Sequence, residues 1–198
     1  MTTEGGRPRG PHDVTAAVVE ATIHLIAQRG PSAVSLRDIA READINYGLI
    51  HRYFGTKDDV LRAAFRAASE AAAQRLEHAD DVHTALAEFW RSTPIGDSYT
   101  RMLAWVLLEG RDPDDLLGRS PAVARLVAAI AGAGEAGEGE RFDPRLVAAA
   151  TVLLSLGWRL FAPFLISAAD LHDRTPEDLR RELGELVELM VEVSASRQ

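Results

Sequence analysis

Apolar residues return every three or four positions through almost the whole chain, and no run alternates apolar with polar residues as a half-buried strand would. That spacing predicts an all-α protein, in which each helix lays an apolar stripe on another helix. The punctuation fits. Asp13 offers an N-cap to a first helix in which Val14, Val18, Ala21 and Leu25 share a face, and Gly30 supplies its stop. Ser35-Leu36-Arg37-Asp38 has the form of a capping box and opens a short helix through Glu42. Ala43-Asp44-Ile45 reads as a tight turn, Asn46 as the N-cap of a third helix, NYGLIHRYF, and Gly55 as its end. Thr56-Lys57-Asp58-Asp59 caps a fourth helix reaching about His78. Further helices are expected over 82–92, 98–110 and 120–131, with Pro94, Gly96, Pro113 and Pro121 as breaks. Residues 132–140 read as a linker, Asp143-Pro144 as the start of a long helix, and Thr175-Pro176-Glu177-Asp178 as the start of the last.

Three segments follow: an arm over 1–12 rich in Gly, Pro and Arg, a small three-helix domain over 13–58, and a larger helical domain over 59–198. With 46% hydrophobic and 26% charged residues the chain is too apolar to stay disordered. The net charge of -8 is unevenly spread. Residues 1–62 carry eight basic and eight acidic side chains, so the whole excess lies behind them. A neutral front with local Arg and Lys can approach phosphates, whereas an acidic rear is repelled by them.

Several function classes fall away. The chain has no cysteine, which removes disulfides, thiolate metal sites and cysteine nucleophiles. Residues 132–137 match the GxGxxG dinucleotide fingerprint by letter, but an Ala-rich helix precedes them where a strand is required, and acidic residues follow. His78, Asp80, Asp81 and His83 form the one metal-like grouping, at a helix junction where solvated caps are expected. No nucleophile with a base emerges, so neither an enzyme nor a metal or cofactor is expected. The first residues lack the apolar centre of a secretory signal, and residues 146–169, the nearest approach to a membrane span, contain Arg159 and Pro163. A cytoplasmic protein without a membrane segment is the expectation.

Two short helices joined by a turn are the minimum for a helix-turn-helix, whose second helix enters the major groove. Here Ile39, Ala40, Ile45, Leu49 and Phe54 can form the small core, leaving Asn46, Tyr47, His51 and Arg52 outside. Amide and guanidinium groups suit base edges or phosphates, and Gly48 permits close approach of the backbone. The run SLRDIAREADINYGLIHRYFGTKDDVL resembles the N-terminal signature of TetR-family regulators, with Ser35, Ile39, Ala40, Gly48, Phe54 and Lys57 on the signature positions. That resemblance implies a double-stranded DNA operator as partner. It also implies phosphate contacts from Ser35, Tyr53 and Lys57, and puts Asn46, Tyr47 and Gly48 nearest the bases. Phosphate contact is also expected of Arg37 and Arg52. His51 stands where the family usually has Tyr, and Asp44 where it has a turn Gly.

In the rear, Leu179, Leu183, Leu186, Met190 and Val193 make a heptad-like stripe on the last helix, and Leu146, Ala149, Leu153, Leu156 and Leu160 one on the preceding long helix. The rhythm fits either a homodimeric four-helix bundle or the chain's own core. The bundle is the expectation, with Leu153, Leu156, Leu160, Leu183, Leu186 and Met190 at the dimer interface. A two-fold protein calls for a palindromic operator, and the resemblance to TetR-family regulators implies a ligand-responsive repressor. Trp90, Tyr99, Arg101, Met102, Trp105, Trp158 and Phe161 are candidate walls for the pocket of an unidentified small-molecule effector. Arg101 and Arg159, in apolar sequence surroundings, call for an acid or an anionic effector. The alternative is a helical protein-interaction module that uses its rear domain without operator-specific DNA binding.

Overall fold

A computed structural model describes residues 10–79, 81–91, 93–116, 118–133 and 142–195. Residues 1–9 of the arm, residues 134–140 of the linker and Asp80 lie outside these, while Pro11 and His12 belong to α1 and Gly132 to α8. The described residues are helical, with no strand among them. In order the helices are α1 Pro11–Arg29, α2 Leu36–Glu42, α3 Tyr47–Tyr53, α4 Lys57–Leu76, α5 Val82–Trp90, α6 Pro94–Leu108, α7 Pro113–Leu116, α8 Pro121–Ala133, α9 Pro144–Ala168 and α10 Pro176–Ala195.

Prolines account for two of the shifted helix starts. Pro11 sits at the first position of α1, with Gly10 as N-cap, so the helix starts before Asp13, whose carboxylate lies in the first turn. Pro94 likewise opens α6, and Gly96 lies within that helix, where its carbonyl accepts the Thr100 hydroxyl at 2.8 Å. A proline that breaks a helix from inside is pre-set to begin one, because its missing N–H falls where no bond is needed. Pro163 is the reverse case. α9 runs through it to Ala168, and Ala162 and Ile166 on either side pack against the core. Tertiary packing there outweighs one lost helical hydrogen bond.

The chain divides into two compact units. The first takes residues to Ala68 together with Pro94–Gly118, which is wider than the segment 13–58. Its core joins Val14, Val18, Leu25 and Ile26 of α1 to Ile39 of α2, Ile50 of α3, Val60, Leu61, Ala64 and Phe65 of α4, and Met102 and Val106 of α6. The Phe65 ring meets that of Tyr99 edge-on, centroids 5.6 Å apart. The first three helices bury too little apolar surface alone, and the first half of α4 with α6 supplies the rest.

The second unit takes Ser69–Thr93 and the described residues from Arg119 onward. Leu86 and Trp90 of α5, Leu126 and Ile130 of α8, Val147, Ala148 and Trp158 of α9, and Leu179, Val187 and Val191 of α10 make its core. Among the described residues α9 alone is long and apolar enough to cross a membrane, yet Val147, Ala148, Thr151, Ser155 and Trp158 line one buried face of it.

Carboxylates hold several helix starts. Ser35 lowers the pKa of Asp38 by a side-chain hydrogen bond, Thr56 does the same for Asp59 and Thr175 for Asp178, and the Thr84 amide lowers that of Asp81. Asp143, hydrogen-bonded by Arg145, falls from 3.8 to about 2. A carboxylate with a depressed folded-state pKa contributes stability that is complete above its unfolded value and is lost as pH falls through the folded one. Helical circular dichroism should therefore hold down to about pH 4 and decline toward pH 2. A signal that stayed flat across that window would contradict the capping account.

Candidate nucleic-acid interface

The geometry begins with the caps. The Ser35 amide donates to Asp38 at 3.0 Å and the Asp38 amide to the Ser35 hydroxyl at 3.2 Å, closing the capping box of α2. Asp44 then turns the chain at φ 49°, a left-handed conformation that a short polar side chain tolerates. Asn46 caps α3 by accepting the Gly48 amide at 2.8 Å. A Cβ on Gly48 would come within 3.3 Å of that same Asn46 oxygen, so glycine keeps the cap unstrained. After Tyr53, Gly55 at φ 91° ends the motif.

This framework sorts the side chains. Ile39, Ala40, Ile45 and Ile50 are buried, with Leu49 and Phe54 partly buried against them. Arg37, Asn46, Tyr47, Gly48, His51, Arg52 and Tyr53 are all exposed. Their groups are already arrayed. The Tyr47 hydroxyl lies 2.7 Å from His51 Nε2, and the two rings meet edge-on at 4.8 Å. The Arg37 guanidinium stands 5.9 Å over the Tyr47 ring, and that of Arg52 5.8 Å over the Tyr53 ring. Cation–π contacts hold both guanidinium groups in place while leaving their N–H edges for an anion or a base.

Three candidates already hold contacts within the chain. The Ser35 hydroxyl donates to Asp38 at 2.5 Å while accepting its amide, so a phosphate there would have to displace a carboxylate. Asn46 has its oxygen on Gly48, which leaves its amide nitrogen for readout rather than the two-bond pattern that recognises adenine. The Lys57 ammonium donates to the carbonyl of Pro31. Nothing local to that turn signals what meets it. Trp105 lies against Gly30, the Glu109 carboxylate accepts the Ser32 amide at 3.1 Å, and Arg111 pairs with Asp58 at 2.5 Å. All three come from α6 or the residues just after it, 77 positions along the chain for Ser32 and Glu109 and 53 for Asp58 and Arg111.

The other candidates divide between the units. In the first, Met102 is fully buried in the core, Tyr99 packs on Phe65 with burial pushing its pKa up, Trp105 rests on Gly30, and Arg101 is exposed and bears no burial cost. In the second, Trp90 and Trp158 are core and Phe161 is exposed. Arg159 donates to the Arg91 carbonyl at 2.7 Å. Of the interface candidates, Leu153, Leu186 and Met190 are exposed, Leu156 and Leu160 half-buried, and Leu183 leans on its own unit's core. Among the described residues no grouping of His, Asp and Glu could hold a metal ion.

Two short capped helices, the second showing a polar and aromatic face while its back closes a core, define a helix-turn-helix DNA-binding protein. Residues 18–64 match the model for bacterial regulatory proteins of the tetR family. An HTH-type transcriptional repressor of Mycobacterium tuberculosis is 35% identical over 192 residues, covering 93% of either chain. BetI of Paraburkholderia phytofirmans, an HTH-type transcriptional regulator, is 39% identical over 51 residues, 26% of each chain. Among solved structures, a putative TetR-family regulator from Rhodococcus sp. aligns with a TM-score of 0.68 at 22% identity over 93% of this chain and all of that one. GusR of Salmonella enterica aligns with a TM-score of 0.69 at 16% identity, covering 96% and 99%. The chain belongs to the TetR family of bacterial transcriptional regulators. These relatives are named as regulators of transcription, which leaves the interaction-module alternative without support.

Proposed function

We propose that the chain is a ligand-responsive repressor that works in the cytoplasm as a homodimer on a palindromic operator. The exposed residues in and beside α3 carry the DNA part of this reading: Asn46, Tyr47, Gly48, His51, Arg52 and Tyr53, with Arg37 of α2, are all exposed. Arg37, Arg52 and Tyr53 have the chemistry for phosphates, and Tyr47, Gly48 and His51 for base edges. Repression is the printed role of the Mycobacterium tuberculosis relative that spans nearly the same length. The effector site is assigned to the region behind the head. Supporting it, two buried donors of the second unit, Arg75 Nε and Trp90 Nε1, meet no protein acceptor among the described residues.

Selection from a pool of random duplexes tests the reading. An enriched two-fold symmetric site, bound submicromolar with an affinity that falls steeply with salt, is the expected outcome. No enrichment across the pool would sink it. With that site in hand, Tyr47→Ala should cost about 1–3 kcal/mol at one base position and relax preference there, while Arg52→Ala should weaken all sequences alike. Quantitative binding to single-base variants of the site separates the two patterns.

A further inference from the structure

We propose that the second unit binds an organic carboxylate with an apolar body, and that the guanidinium of Arg75 on α4 takes its carboxylate. This names the class of effector for the ligand-responsive reading above and rests on it. Arg75 is half-buried, and its Nη1 donates to the Ala71 carbonyl one turn back at 3.2 Å. Its Nε, on the other edge of the group, is buried and meets no protein acceptor. That edge, Nε–H with Nη2, is the one with which an arginine grips a carboxylate by two parallel bonds. A shortage of acids does not explain the missing partner. The chain has 30 acidic side chains against 22 basic ones. Arg125, Arg174 and Arg181 of the same unit each pair with a carboxylate, Arg125 with Glu77, which lies two residues from Arg75. A partly desolvated cation is stabilised by an anion, and among the described residues the fold supplies none to Arg75.

The charge balance sets the class of anion. One guanidinium matches the single charge of a carboxylate, whereas a phosphate monoester carries nearly two at neutral pH and would enter a part of the chain that is already acidic. The surroundings set the rest. Ala73 and Leu76, on either side of Arg75 in α4, are buried with Ala85 of α5 and Ala122 of α8. Leu86 and Trp90 of α5 belong to the main core of the unit, and Phe89 packs against both clusters, so the apolar interior continues along α5 to Trp90. Trp90 is 6% exposed, and its Nε1 is the second buried donor that meets no protein acceptor. Two such donors beside one apolar stretch suit a guest that carries oxygen on a hydrocarbon body.

The test uses the full chain, with octanoate and 3-phenylpropanoate as probes and their primary amides as uncharged counterparts, followed by thermal denaturation and tryptophan fluorescence. At least one acid should raise Tm as its concentration rises and shift the emission as Trp90 gains a neighbour, and its amide should bind at least about tenfold more weakly. Arg75→Met, which keeps the apolar stem, should lower affinity for that acid about 10- to 100-fold. Equal binding of acid and amide would overturn the proposal, as would binding that survives Arg75→Met or the absence of any shift with either acid. Should Arg75→Met fail to fold, Arg75→Lys decides: a single ammonium cannot make the two parallel bonds, so weaker binding of the acid supports the proposal and unchanged binding overturns it. The selected duplex separates this site from the reading it rests on. The bound acid should change affinity for that duplex. An acid held by Arg75 that leaves duplex affinity unchanged would overturn the ligand-responsive reading while the carboxylate site stands, whereas failure of both acids to bind overturns the site and leaves that reading intact.

Discussion

Phe65→Ala should remove about 3–5 kcal/mol of folding stability, the cost of emptying a large aromatic side chain from a packed core. The ring is 2% exposed and stands edge-on to Tyr99, in a cluster that also takes in Ile26, Ile39, Ile50, Leu61 and Met102. Because domains are stable by only about 5–15 kcal/mol in total, the loss should appear as a fall in Tm of roughly 10 °C or more. DNA binding should fail with it at physiological temperature, since the same cluster fixes Ile50 and so the buried side of α3. Thermal denaturation followed by circular dichroism measures the first effect. A loss below about 1 kcal/mol would mean that α4 does not complete the core of the first unit.

That prediction marks where sequence reasoning stopped. Elements of the head with local causes were legible: Ser35 and Asp38 cap one another, Asn46 caps α3, and Asp44 takes the left-handed turn. Each depends on residues two or three positions apart. The outward set from Arg37 to Tyr53 was legible for the same reason, because two helices of seven residues leave little choice of buried face. The partnership of α6 with α1 was not. Met102 read as a possible ligand wall and is core, and Trp105 read likewise and rests on Gly30, because nothing local says which helix an apolar stripe meets. The contact of the Lys57 ammonium with the Pro31 carbonyl was likewise not legible, because it joins residues 26 positions apart.

The rear helices were legible in period but not in allegiance. On α10 the heptad stripe ran through Leu179, Leu183, Leu186, Met190 and Val193, whereas the core takes Leu179, Val187 and Val191 with Leu183 beside them. On α9 the core takes Val147, Ala148, Thr151, Ser155 and Trp158. Two apolar faces on one helix blur into a single rhythm, and only the fold separates the face that is used from the face that is left.

The face that is left carries the second large effect. Leu153 is 71% exposed and Leu186 60%, and Leu146, Phe161 and Phe164 on α9 with Leu189 and Val193 on α10 are exposed as well. A folded monomer rarely leaves so many large apolar side chains in water, so the proposed homodimer follows from covering them. Leu153→Glu with Leu186→Glu should make the chain monomeric by sedimentation while its helical content stays intact, because neither side chain belongs to the core. Each Glu would place a charge against its symmetry mate in a two-fold contact, where burying it unpaired costs several kcal/mol. Affinity for the selected duplex should then fall by about 10²–10⁴, as a second reading helix loses the effective concentration that the first one gives it. Affinity for one isolated half-site should change little, and that contrast separates lost dimerisation from a damaged head. If the double variant sediments as a dimer, these two helices are not what pairs the subunits, and the symmetric operator needs another cause.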